Sequence, residues 1–171
     1  MSHQFQRQID TIVIHCSDSP NGRNDHAADI DLWHRQRGWH RQDFFRIKKG
    51  FNSGLTSIGY HFVININGQI ETGRHPDEIG AHVAGHNSKS IGICMIGTDR
   101  FTPEQWSALD KLVQDLRYEI SISANPVKAD HVIIVGHYQF PDAHKTCPNF
   151  DVPAWLKTGR IPIPRNVYLT D

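Results

Sequence analysis

The sequence predicts a single mixed α/β domain built around a largely buried sheet. Three observations carry that expectation. Thr11–Cys16 (TIVIHC), 91–96 (IGICMI) and 132–135 (VIIV) are apolar on both alternate faces, as strands covered on both sides must be. Residues 26–37 and 102–120 carry apolar positions at helical spacing and would supply the cover. The 171 residues, with 38% hydrophobic and 21% charged positions, suit one core that needs no disulfide staples.

Taken along the chain, the first strand, Thr11–Cys16, is β-branched and short. Asn24 or Asp25 is placed to cap the helix at 26–37, with Ile30, Trp33 and Arg37 marking one side. Residues 38–58 are basic and aromatic and then rich in turn formers, an irregular excursion anchored by Phe44 and Phe45. Residues 60–66 and 69–72 flank Asn67-Gly68, the strongest short hairpin signal. The helix at 102–120 has Thr102 as cap, Pro103 in the first turn and Gln105 completing a capping box. Trp106, Leu109, Val113, Leu116 and Ile120 form its buried stripe. The proline-rich tail from Pro153 is expected to pack across the surface.

Bulk charge excludes little and implies little. Eighteen Lys and Arg balance eighteen Asp and Glu, so no nucleic acid or anionic membrane partner is expected. No apolar run reaches the length of a membrane span, and the polar start MSHQFQRQID lacks the pattern of a secretory signal, so synthesis in the cytoplasm is expected. There is no GxxxxGK[ST], no GxGxxG between strand and helix, and no GxSxG elbow, which argues against nucleotide chemistry and serine hydrolysis. The unusual features are twelve histidines and three cysteines without a CxxC pair. Cys16 and Cys94 sit in strand-like runs and read as buried thiols, whereas Cys147 lies in the polar loop HKTCPN.

Two histidines occupy equivalent places: His15 ends TIVIH and His137 follows VIIVG. If those strands are neighbours the imidazoles converge, and Cys147, ten residues beyond His137, is placed to supply a third ligand. Two imidazoles and a thiolate around Zn²⁺ leave the open fourth position of a catalytic site. Lys145 projects to the same side as Cys147 if the loop is extended, where it would lower the thiol pKa and stabilise an oxyanion. His82 and His86 (HVAGH) form a rival pair at i, i+4 spacing, but Gly80, Gly85 and the missing glutamate of HExxH argue for a loop near a pocket, with His82 a substrate contact. His131 and His144 remain alternatives to His137, while His3, His26, His34, His40 and His75 read as surface groups.

Four blocks then stand in order: TIVIHCSDS, IGYHFVININGQIETGR, GAHVAGHNSKSIGICMIG and VGHYQFPDAHKTCPNFD. Together they resemble the signatures of the zinc-dependent N-acetylmuramoyl-L-alanine amidases, in the phage endolysin form, whose fold is shared with peptidoglycan recognition proteins. The likeness spans about residues 11–155 of a single domain covering 1–171, with a tail at 156–171. It implies a central mixed β-sheet flanked by helices, one zinc ion held by His15, His137 and Cys147, Tyr60 and Lys145 as catalytic residues, and His82 and Asn87 in the substrate groove. Tyr60 enters only through this likeness. Two departures stand out: residues 40–57 look inserted relative to the compact phage enzymes, and Asn149 replaces the glycine that usually follows the CP pair.

The implied reaction is hydrolysis of the amide between N-acetylmuramic acid and L-alanine of peptidoglycan, by a lysin acting on the bacterial cell wall. A cytoplasmic amidase recycling soluble anhydromuropeptides would use the same chemistry. A non-catalytic peptidoglycan-binding module is the rival from another class, and the presence of Cys147 argues against it.

Overall fold

The computed structural model describes residues 4–169, so His3 lies outside the described residues. Five strands form one sheet in the order β3-β2-β4-β1-β5: β1 (Thr11–Cys16), β2 (Phe62–Ile64), β3 (Ile70–Thr72), β4 (Ser90–Met95) and β5 (Ile133–Gly136). β2, β4, β1 and β5 run parallel and β3 pairs antiparallel with β2, so the sheet is mixed, as expected. β1 and β4 are wholly or almost wholly buried along their lengths, because both faces are covered.

Helix α2 (Pro103–Ser121) covers one face. Its predicted cap is present: Thr102 Oγ1 accepts from Gln105 N at 3.1 Å and Gln105 Oε1 accepts from Thr102 N at 2.9 Å. Its stripe of Trp106, Leu109, Val113, Leu116 and Ile120 packs on Ile12, Ile14, Ile91 and Ile93. Helix α1 (Ala27–Gln36) covers the other face, where Ala27 and Ile30 meet Val63, Cys94 and Ile96. The result is three layers, helix, sheet, helix.

Several local expectations change. The cap of α1 is His26, not Asn24 or Asp25: its N–H donates to Asp29 Oδ2 at 2.8 Å, while Glu71 of β3 accepts from Ala27 N at 3.0 Å. A carboxylate from a distant strand thus does the work that a local residue was expected to do. The hairpin strands are shorter than 60–66 and 69–72, and Gly68 takes φ 84° in the turn. Residues 40–57 include one turn of π-helix, Phe44–Lys48. The tail does not simply cross the surface. It opens with a third helix, α3 (Val152–Lys157), capped by Asp151, whose Trp155 is fully buried beside Trp106 and Phe150.

Candidate metal centre

Parallel pairing of β1 and β5 puts Ile14 opposite Gly136, so the residues that follow, His15 near the end of β1 and His137 just past β5, stand side by side at the carboxyl edge of the sheet. That edge is where open α/β sheets place ligands. The two rings stand 4.7 Å apart, centroid to centroid. The loop after β5 folds back, and Cys147 Sγ accepts a hydrogen bond from Cys16 N at 3.1 Å. One ligand atom each from His15, His137 and Cys147 lies within 4.8 Å of the other two. Tetrahedral zinc ligands stand roughly 3.5 Å apart, so modest side-chain rotation closes the set around an ion. Among the described residues this is the one group of three or more such side chains found, and neither His131 nor His144 joins it.

The chemistry of the donors fits a metal. Burial, then the neighbouring rings of His82, His137 and His34, hold His15 well below the ordinary imidazole range, so it is neutral with a lone pair to give. His137 is lowered by burial and by the Lys145 ammonium. Lys145 was expected to depress the Cys147 thiol as well, but that thiol is pushed up, first by its contact with Cys16 and then by burial. The lysine is exposed to solvent, whereas the sulfur is packed against Cys16.

An open cleft of about 550 Å³ is lined by His137 and Cys147, with His15 buried beside them, and Lys145, Tyr60, His82 and Asn87 also line it. Tyr60 stands between His15 and His34, ring centroids 5.0 and 5.3 Å away. Burial raises its phenol well above the usual range, so it carries its proton. His82 and Asn87 do more than face the groove. His82 Nδ1 is 2.9 Å from His15 Nε2, and its own Nε2 is 3.2 Å from Ser90 Oγ, which donates to His86 O at 2.8 Å. Asn87 Oδ1 accepts from His82 N and Val83 N at 3.0 and 2.9 Å, fixing the loop that carries the ring.

The sequence held a signal for this second layer that was not read. A Cβ on Gly80 or Gly92 would stand 2.7 Å from the His82 ring, so both glycines exist to admit it, and Gly92 interrupts an otherwise bulky strand. His34, expected at the surface, is buried under Trp39 and accepts from Gly59 N at 2.9 Å. His26 and His75 are partly buried, and His40 is exposed as expected. His61, not singled out in the sequence, is buried: its Nδ1 accepts from Gly92 N at 3.0 Å and its Nε2 lies 2.8 Å from Glu78 O. Asn149 keeps the turn that a glycine would make: it adopts φ 64°, and its Nδ2 donates to Thr98 O at 2.8 Å.

Comparison with known proteins agrees with this geometry. Residues 5–150 match the N-acetylmuramoyl-L-alanine amidase family. An endolysin of Enterobacteria phage K11 is 32% identical over 168 residues, covering 92% of this chain and 93% of that protein. The structure of N-acetylmuramoyl-L-alanine amidase LysC from Clostridium intestinale superposes with a TM-score of 0.66 at 25% identity, covering 90% of this chain and 87% of LysC. PGRP-SA from Apis mellifera shares the fold, with a TM-score of 0.62 at 22% identity over 92% of this chain and 88% of its own. With three donors at the carboxyl edge of a matching sheet and a family match over most of its length, the chain belongs to the N-acetylmuramoyl-L-alanine amidase family.

Proposed function

We propose that this amidase is a zinc-dependent cell-wall lysin, with His15, His137 and Cys147 holding one Zn²⁺ and peptidoglycan as substrate. The observation that carries the reading is the meeting of two neutral imidazoles and a thiol at the cleft, which His137 and Cys147 line and behind which His15 is buried. The whole-length likeness to phage endolysins supports the wall polymer over soluble fragments as substrate. When bound, zinc supplies a Lewis acid for the scissile carbonyl and a water of lowered pKa.

The chain's own groups divide the remaining work. If His15 uses Nδ1 for the metal, its Nε2 carries the proton and donates to His82 Nδ1. His82 then donates from Nε2 to Ser90, and the chain of bonds fixes one tautomer throughout. His82 is therefore a positioning residue, and Asn87 holds it in place. The protonated phenol of Tyr60 is a donor that orients the attacking water or the amide, and not a base. Lys145, at the edge of the cleft, offers its ammonium to the oxyanion of the tetrahedral intermediate.

The test is mass spectrometry of the soluble products released from purified sacculi, with chelator and with zinc restored. Zinc-dependent release of stem peptides that begin with a free L-alanine amine is expected. Sedimentation with sacculi but no release would replace the enzyme by a binding module. Turnover on soluble anhydromuropeptides alone would replace the lysin by a recycling enzyme. Lys145→Ala should lower turnover by about 10²-fold with zinc content unchanged, and a parallel loss of zinc would make the lysine structural.

A further inference from the structure

Cys16 plays no part in the reaction above, yet its surroundings are specific. Cys147 Sγ lies against the backbone of Cys16, 3.1 Å from its N and 3.9 Å from its O. The Cys16 sulfur in turn lies 3.5 Å from Asn149 Nδ2, two residues along the chain from Cys147. Both thiols are free, and both line the cleft, Cys147 half-buried at its wall and Cys16 buried behind it. The third cysteine, Cys94, packs among Val63, Ile96 and Ile30 on the other side of the sheet from the core cluster that holds Cys16.

We propose that Cys16 and Cys147 form an oxidation site, in which a peroxide converts the third metal donor into half of a disulfide whenever no metal holds its sulfur. The steps balance. Cys147, the sulfur of the pair that solvent reaches, attacks one peroxide oxygen as its thiolate; the O–O bond breaks, the thiol proton leaves with the departing hydroxide as one water, and a sulfenic acid results. The Cys16 sulfur then attacks the sulfenic sulfur and displaces hydroxide, which leaves as a second water with the Cys16 proton. Two thiols are oxidised by two electrons and one peroxide is reduced to two waters. The resolving thiol is already in place, so the disulfide competes with further oxidation of Cys147. A thiol reductant reverses it and restores the donor.

A zinc-held Cys147 sulfur has its lone pair engaged and is protected, so metal loading and oxidation exclude each other at one atom. This protection rests on the zinc reading; the cross-link does not. For an enzyme made where thiols stay reduced and used at the wall, the metal would then guard the site in transit.

The experiment treats zinc-stripped and zinc-loaded protein with hydrogen peroxide, blocks remaining thiols, and maps peptides without reduction. The stripped protein should lose two hydrogens, yield a peptide pair joining Cys16 to Cys147, keep Cys94 alkylatable after unfolding, and regain zinc uptake after dithiothreitol. Zinc loading should slow the cross-link about tenfold or more. In Cys16→Ser the pair should vanish, Cys147 should proceed to the sulfinic acid, and dithiothreitol should restore nothing. Stripped protein that reaches the sulfinic acid without a Cys16–Cys147 peptide overturns the proposal, and needs no variant to be seen. A cross-link that forms equally fast with and without zinc would instead overturn Cys147 as the metal ligand.

Discussion

At the carboxyl edge of β1 and β5 the gathered groups are neutral: His15 and His137 are both kept below the ordinary imidazole range, first by burial, and each brings one donor atom within 4.8 Å of the Cys147 sulfur. Beneath the 40–57 segment the buried groups are charged and fully matched. Arg41 and Glu78 are inaccessible to solvent and pair at 3.0 Å. Every N–H of the guanidinium is used, Nε and Nη2 on Glu78 and the rest on the carbonyls of Phe51, Asn52 and Leu55, while Glu78 Oε1 also accepts from Gln42 N. One assembly gathers neutral donors, and the other pairs opposite charges. Saturation, and not burial alone, separates a site from a scaffold.

The largest effect that would break this contrast is at the unsaturated end. His137→Ala removes a donor from a loop position that is only half-buried, so the fold should survive. Zinc content should fall to background and stem-peptide release should drop on the order of 10³-fold or more. Retained zinc with full turnover would show that the three donors are not a metal site.

At the saturated end the expected loss is of stability. Arg41→Met leaves the Glu78 carboxylate buried without a partner, which costs about 3–5 kcal/mol and should appear as a lower urea midpoint. Pairing it with Glu78→Leu should recover most of that loss, and turnover per folded molecule should hardly change in either. If Arg41→Met instead spares stability and abolishes turnover, the 40–57 segment belongs to the site and the contrast fails.

Between the two lies His34, buried and neutral beside the cleft. Burial, then Arg37 and Arg74, lower its pKa to about 4, against the partial pull of Asp31. The unfolded chain takes up this proton near pH 6.5 and the folded one only near 4, so across that window the unfolded state binds more protons. Stability from this group is therefore full above pH 6.5 and falls as pH drops toward 4, by about 3 kcal/mol. Urea midpoints at pH 7 and pH 4 should differ less in His34→Gln than in the parent. Equal differences would show that His34 does not carry this dependence.

How legible all this was in the sequence follows the range of the interactions. The strands, the α2 cap and the places of His15 and His137 at strand ends rest on periodicity and on residues a few positions apart, and they could be read; that the two strands are neighbours stood as a condition, which the β1–β5 pairing meets. Arg41 with Glu78, Glu71 on the α1 terminus and Asp31 accepting from the N–H groups of Ser57 and Ile58 join residues 25 or more apart, or on different elements. No local pattern announces such pairs. Their members look like ordinary surface charges until the chain has folded, which is also why His34 and His61 were not recognised as buried. Tyr60 was found only through the family likeness, since a tyrosine preceding a strand has many other fates.

The smallest effect is the most discriminating, because it divides the two roles open to His82. As a substrate contact, its loss would raise KM and leave the metal alone. As the partner that fixes the His15 tautomer, its loss frees the imidazole to rotate and leaves Nε2 buried without an acceptor. His82→Ala should then weaken zinc binding by about 10–100-fold, read by competition with a chelating dye, with KM little changed once zinc is saturating. Gly92→Ala offers the same test without touching a polar group, because the added methyl would stand 2.7 Å from the His82 ring and push it off His15. A weaker metal site in both variants would place His82 with the saturated, scaffold-like groups although it lines the cleft. A shift in KM alone would return it to the substrate side.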